Sequence, residues 1–516
     1  MATPGEKLAE SLEILRNLQK DQNIVAIKTT EISRTHRERL IKNGFLKEVS
    51  KGWYIATNPY EGTGDSTSWY TSYWQFCSRY LADKYGNNYS ISPDQSLLIH
   101  SGNTTVPKQL IVSALDGSNK SIPLLYGTSL LEMKSPLPYK DSIVEIDGIR
   151  MLSLQSALIY CSAAMFERNA VDVRAAMALI TDASEILGPL LEGSHTVIAG
   201  RLAGAFRNIG QDRIADTILK TMKAADYKVR EVDPFNSKSS VALTFRDRSP
   251  YVNRIKLMWD GWRDVVIKHF PQEPGLPENK EEYLRAVEEI YLTDAYHSLS
   301  IERYVVSIEL IEKVRTGDWD IQGNDVDRNH RNAMAARGYW LATQVVKKSL
   351  NKILQGHNAG KTADDDHTDW YQELFAPSVT AGILKPSDLA GYRTNQVYIS
   401  NSLHVPLNRD AVRDAMPTLF ELLANETNAG VRAVLGHFIF VYIHPYMDGN
   451  GRMARFLMNV MLASGGFPWT VIPVEQRDGY MAALESASVG GNIEPFAQFL
   501  SKLVDESLKG KPAAKI

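Results

Sequence analysis

The chain has 516 residues, 44% hydrophobic and 23% charged, which excludes a disordered or fibrous polymer and implies about three domains. A net charge of −3 excludes a uniformly nucleic-acid-coating surface, and no apolar run nears the roughly 18–20 residues of a membrane span. Cys77 and Cys161 are too few for a disulfide framework or a zinc cluster. With a polar start unlike a secretory signal, they predict two buried thiols in a cytoplasmic protein.

Leu8, Leu12, Leu15 and Leu18 recur at helical spacing over residues 5–20. A second, short helix is expected from Glu31 to about Lys42, ending at Asn43-Gly44, a pair suited to a left-handed cap. Strand-like runs Phe45–Val49 and Trp53–Ala56 then flank Ser50-Lys51-Gly52. A helix followed by a small hairpin is the plan of a winged helix, assigned to 1–58. Arg34 and Arg37 on its second helix and Lys51 in its wing are the candidate DNA-contacting residues, because phosphates are met by cations in those places. The region is similar to the N-terminal part of abortive-infection antitoxins that act as repressors.

Residues 59–233 read as a mixed α/β, then helical, domain. Trp69–Leu81 is expected as a helix, Ser96–Ile99 and Gln109–Val112 as strands, and helices follow from Leu152 to about Tyr227. Prolines at 234 and between 271 and 277 mark breaks, making 234–279 a linker region. Residues 280–508 are helical in pattern apart from a hairpin-like stretch at 396–406, which predicts an all-α domain with a β insertion. Within it, Gly356–Thr362 falls one residue short of a phosphate-binding loop and follows no strand, so it reads as a flexible polar loop.

The chemistry concentrates in His444-Pro445-Tyr446-Met447-Asp448-Gly449-Asn450-Gly451-Arg452-Met453-Ala454-Arg455, a polar run between two apolar segments, 431–443 and 455–463. It is expected as a tight turn between two core helices. Gly449 and Gly451 let backbone approach a ligand closely, and amides at a helix N-terminus form an anion cradle. Arg452 and Arg455, three apart, lean over the same anion, which suggests a polyphosphate. Asp448 supplies a hard oxygen for Mg²⁺, and His444 titrates near neutrality and accepts a hydroxyl proton. Together these residues describe displacement at phosphorus.

The run resembles the signature of the Fic family, His-x-Phe-x-Asp/Glu-Gly-Asn-Gly-Arg-x-x-Arg, with Tyr446 in place of Phe as its one departure. The likeness extends over roughly Lys280–Val504. Gly391-Tyr392-Arg393 and Val397-Tyr398-Ile399 resemble the entry to the family's target-docking flap, a β-hairpin returning through Leu403–Pro406. The resemblance implies a protein adenylyltransferase using ATP and Mg²⁺ on a Ser, Thr or Tyr hydroxyl of a target protein, with self-modification and homodimers also expected. It implies His444 as the base and Asp448 as the metal ligand. Asn450 and the Gly449 and Gly451 amides would hold phosphate oxygens, Arg452 the β/γ-phosphates and Arg455 the γ-phosphate. Ser298-Leu299-Ser300-Ile301-Glu302-Arg303 resembles the family's inhibitory pattern, Ser/Thr-x-x-x-Glu-Gly/Asn, on a helix near 285–303. Glu302 would then make a two-point pair with Arg455, with Ser298 beside it. The same residues leave open removal of AMP, with Glu302 orienting a water. They also leave open a DNA-binding regulator whose domain senses nucleotide.

Overall fold

The computed structural model describes residues 3–21, 25–59, 65–137, 142–236, 249–317 and 327–516. Two units divide the chain: Met1–Pro250 with Tyr398–Val405, and Tyr251–Val397 with Pro406–Ile516.

The first unit opens with the helix Pro4–Asp21, the strand Ala26–Lys28, the helix Arg34–Lys42 and the strands Leu46–Ser50 and Trp53–Ala56. Ser33 caps the short helix by accepting the His36 amide, and Gly44 takes a φ of +75° just past its end. Trp53–Ala56 lies central in an antiparallel sheet, pairing Ala26 with Ile55 on one edge and Leu46 with Ala56 on the other. The helix Thr67–Tyr85 follows, and its buried Trp69, Tyr73 and Phe76 pack in one core with Val112 and Leu130 of a four-stranded sheet. Cys77 and Cys161 are both buried and unbridged.

Ser96–Ile99 lies in a helix, Pro93–His100, and not in the expected strand. Ser92 accepts the Gln95 amide and Pro93 occupies the first turn, so the capping signals outweigh the apolar run. Gln109–Ala114 is a strand, parallel to Ser129–Lys134.

Pro250–His269, which enters the second unit at Tyr251, is a 20-residue helix inside the span expected as linker, of which residues 237–248 lie outside the described residues. Its buried Ile255, Trp259, Trp262 and Val266 recur at helical spacing, and Trp262 meets Phe438 edge to face with centroids 5.3 Å apart. Proline thus begins this helix at 250, where the first unit gives way to the second, and follows its end at 271. The supposed polar loop at 356–362 is the start of another helix, Ala359–Thr380. Asn358 caps it, and Gly360 lies so close to Ala424 that a Cβ would meet its nitrogen at 2.2 Å.

Residues 396–406 form no strand ladder. Instead the Gln396 side-chain amide donates to Pro406 O at 2.7 Å, and Ser402 N–H closes a turn on Ile399 O at 3.2 Å. The tip, Tyr398–Val405, belongs to the first unit, where Val106 N–H donates to Leu403 O at 3.0 Å. The polar/apolar alternation therefore reflects packing on a different segment rather than a hairpin closed on itself. No helix among the described residues is long and apolar enough to cross a membrane.

Candidate active site

The helices Ala429–Ile443 and Asn450–Ala463 are buried on nearly all sides, and the signature run is the turn between them. Its shape comes from the turn's own side chains. Asn450 accepts the Tyr446 N–H and returns its amide to Tyr446 O, both at 2.9 Å. Tyr446 is 1% exposed and stacks on Tyr371, with centroids 3.8 Å apart and planes at 7°. The Asn450 side chain therefore braces the loop, and its part in an anion site falls to its backbone N–H. Gly449 adopts φ +81° at the helix N-cap, and a Cβ there would lie 2.7 Å from the Phe375 ring.

His444 ends the first helix in a left-handed conformation, φ 54° and ψ 62°. Its Nδ1 lies 3.2 Å from Val441 O. A carbonyl only accepts, so this contact places the proton on Nδ1 and leaves Nε2 as the acceptor in the neutral ring. Burial lowers the imidazole pKa to about 4, overriding the Val441 contact, and the Arg393 charge pushes the same way. Asp448 is exposed, and its Oδ1 accepts the Gly449 N–H at 2.6 Å.

Arg452 is 1% exposed, with its guanidinium between the rings of Tyr304 and Phe375, 5.1 and 5.0 Å from their centroids. Its Nε and Nη2 make no hydrogen bond, although Nη2 lies 3.5 Å from Asp448 Oδ1. A buried cation with unmatched donors is a costly arrangement that an anion relieves. At the N-terminus of a helix, beside the Gly449 and Gly451 backbone, that anion fits a phosphate. A hard divalent cation fits too, with one carboxylate from Asp448 and the remaining ligands from phosphate oxygens and water. Among the described residues no cluster of three or more His, Cys, Asp or Glu side chains offers a purely protein-built metal site.

Arg455 is 3% exposed. Its Nε donates to Ser298 Oγ at 2.8 Å, and its Nη2 to Ser298 O at 3.0 Å and Glu302 Oε1 at 2.8 Å. The pair with Glu302 is thus one-point and not two-point, because Ser298 takes the second edge of the guanidinium. A Cβ on Gly451 would lie 2.2 Å from Glu302 Oε1, so the carboxylate sits directly over the start of the helix. Glu302 occupies the C-cap of Tyr291–Ile301, which follows Lys280–Glu289 across Ile290. Arg303 comes next at φ +65°, with its N–H on Ser300 O and the Tyr304 N–H on Leu299 O, a Schellman closure. This conformation costs a non-glycine residue roughly 1–2 kcal/mol, which gives a physical reason for Gly or Asn at that place in the inhibitory pattern.

The remaining candidates fall outside the 444–455 run in the sequence. Val397 is buried, with Tyr398 and Ile399 half-buried. Arg34 is exposed but paired with Glu38 at 2.6 Å, Arg37 donates to Thr29 O at 3.2 Å beside the Tyr54 ring, and Lys51 is exposed in its turn. Tyr480 is 1% exposed, bonded to His437 Nε2 at 2.7 Å and within the field of the Arg455 charge. Sequence reasoning gave no role to Tyr304 and Phe375, the aromatic walls of Arg452. Their signal was faint, since Tyr304 follows the inhibitory pattern but Phe375 is 77 residues from Arg452.

An imidazole, a glycine-flanked helix start and two buried arginines thus gather at one interhelical turn of a helical domain, the chemistry of an anion-binding site. Residues 364–462 match the Fic/DOC family. The chain is 26% identical over 333 residues to protein adenylyltransferase fic-1 of Caenorhabditis elegans, covering 62% of this chain and 60% of that protein. It is 28% identical over 228 residues to protein adenylyltransferase Fic of Drosophila willistoni, covering 43% of this chain and 42% of that one. The chain thus spans no more than 60% of the length of these two relatives. A solved structure of C. elegans Fic-1 superposes with a TM-score of 0.38 at 20% identity, covering 66% of this chain and 96% of that one.

Proposed function

We propose that the protein is an adenylyltransferase that moves AMP from ATP to a Ser, Thr or Tyr hydroxyl of a target protein. The observation that carries the reading is Arg452, a buried guanidinium with orphaned donors beside a glycine-flanked helix N-terminus, on the same turn as the free Nε2 of His444. The target hydroxyl oxygen attacks the α-phosphorus, and the bond from that phosphorus to the bridging oxygen breaks. Pyrophosphate leaves, and the hydroxyl proton passes to His444 Nε2. Arg452 and Arg455 balance the charge of the β- and γ-phosphates, while backbone N–H groups of the turn meet phosphate oxygens. A Mg²⁺ ion at Asp448, when bound, supplies further charge neutralisation. A target segment docks along Val397–Ile399.

Glu302 acts as a brake in this reading. Its carboxylate takes a donor of Arg455 that the γ-phosphate needs, so ATP meets an occupied cation. Removing a hydrogen bond between charged groups, worth about 1.5–3 kcal/mol, corresponds to roughly 10- to 100-fold. Glu302→Gly is therefore expected to raise self-labelling by α-labelled ATP by that factor. Unchanged labelling would remove the brake from the account, and loss of prelabelled AMP faster in the parent than in Glu302→Gly would favour the reverse reaction.

A second role, DNA contact by the first 58 residues, is supported by the sheet order, in which the strand after the first helix pairs with the last strand of the hairpin. Arg34 and Lys51 present exposed cations on the short helix and the turn. Gel retardation of promoter-region duplex that is insensitive to Arg34→Ala and Lys51→Ala together would count against it.

A further inference from the structure

The turn that carries His444 and both limbs of the 396–406 loop meet at one side chain. Arg393 is 1% exposed. Its Nε donates to His444 O at 2.8 Å, its Nη1 to Asn395 O at 3.0 Å, and its Nη2 to Leu407 O and, at 3.5 Å, to Ile443 O. Its backbone N–H adds a bond to Pro445 O at 2.9 Å. Asn395 precedes the loop and Leu407 follows it, whereas Ile443, His444 and Pro445 are the end of a core helix and the start of the catalytic turn.

Two physical arguments make this more than packing. A buried guanidinium is tolerated when its planar fork of donors is matched, and here the fork reaches acceptors on three separate pieces of chain. Ile443 and His444 also carry the last carbonyls of the helix Ala429–Ile443, which lack partners inside the helix and bear its partial negative charge. A cation belongs there, and this one is also tied to the loop base. His444, strained at φ 54°, has its own carbonyl held by that cation.

We infer that Arg393 is a positioning residue: it fixes the base of the target-docking loop against the peptide of His444, and so sets the distance between a docked hydroxyl and the imidazole. The inference rests on the adenylyl-transfer reading and on docking along Val397–Ile399. Arg393 takes no part in holding the phosphates. A lysine keeps the charge but not the fork, so it cannot hold His444, Asn395 and Leu407 at once. Misplacement of reacting groups by about 1 Å costs on the order of a hundredfold in rate.

The test uses the full chain carrying Glu302→Gly, with and without Arg393→Lys. Label transfer from α-labelled ATP to the protein's own hydroxyls gives kcat and the KM for ATP, and calorimetry gives the Kd. Arg393→Lys is expected to lower kcat about a hundredfold, with KM and Kd for ATP within about threefold of the parent. Transfer at the parental rate overturns the inference. So does a Kd that weakens in step with transfer, because the residue would then act on the nucleotide site. Should Arg393→Lys fail to fold, Gln396→Ala decides, since Gln396 clasps the loop base at Pro406 O without a buried charge. It is expected to slow transfer about tenfold with ATP affinity kept, and an unaffected rate overturns the inference. A Glu302→Gly parent that binds ATP and transfers nothing refutes the adenylyl-transfer reading itself, and this inference with it.

Discussion

In the Glu302→Gly background, His444→Ala is expected to lower AMP transfer by about 10²- to 10⁴-fold, the usual contribution of a positioned general base, while ATP affinity holds. The ring is the one acceptor on the turn whose second nitrogen is oriented by a carbonyl, Val441 O, so no neighbour replaces it. The same ring sets the pH profile. Protonated imidazole cannot accept a proton, so activity falls as pH drops through the histidine's own pKa. An unperturbed imidazole would bring that fall near ~6.5. Burial, with the Arg393 charge assisting against the opposing Val441 contact, lowers the value to about 4. The rate is therefore expected to hold from pH 7 down to weakly acidic solution and to decline only near that lower value. Transfer by the His444→Ala protein at the parental rate, measured with labelled ATP, would end the general-base assignment. An acid limb near that of free imidazole would show the base to be more exposed than the geometry makes it.

Arg452→Met is expected to separate binding from stability. With nucleotide present, the guanidinium completes a buried, charge-assisted set of hydrogen bonds, and removing one partner of such a set costs about 2–5 kcal/mol. ATP affinity should fall by roughly 30-fold or more, read by calorimetry. Without nucleotide the balance reverses. Nε and Nη2 are buried and unmatched, so a side chain of similar reach and no charge removes a desolvation penalty. The offset is the loss of the stacking of Arg452 between Tyr304 and Phe375, about 0.5–2 kcal/mol per contact. The melting temperature of the nucleotide-free protein is therefore expected to stay level or rise. A variant that melts several degrees lower yet binds ATP as the parent does would mean Arg452 is a structural cation and not a phosphate ligand.

Several features were legible in the chain because their causes are local. The left-handed glycine at 44, the paired strands either side of Lys51 and the helix over Trp69–Leu81 follow from caps, turns and apolar spacing within a dozen residues. The catalytic turn belongs to the same class. His444, Gly449, Arg452 and Arg455 lie within a dozen positions, so the helix geometry that aims them is contained in the motif.

Errors arose where a local pattern is ambiguous or its partner is distant. Ser96–Ile99, with three apolar residues in a row, fits either a strand or a helix, and Ser92 with Pro93 decided for helix. The alternation at 396–406 promised a hairpin, yet its tip bonds to Val106, some 300 residues away in the chain. Glu302 was expected to face Arg455 with both oxygens, and it meets one donor because Ser298 occupies another.

By itself, then, the order of residues determined the chemistry on offer: an imidazole, a carboxylate, a glycine-flanked helix start and two arginines in fixed succession. Tertiary structure alone decided the state of each group. Burial depressed the basicity of His444, left Arg452 without a full set of partners and assigned Arg455 to Ser298 and Glu302. The physical reason is that helix geometry acts over a few residues. Desolvation and charge pairing depend on whatever distant chain segment packs alongside, and no run of twelve residues specifies that neighbour.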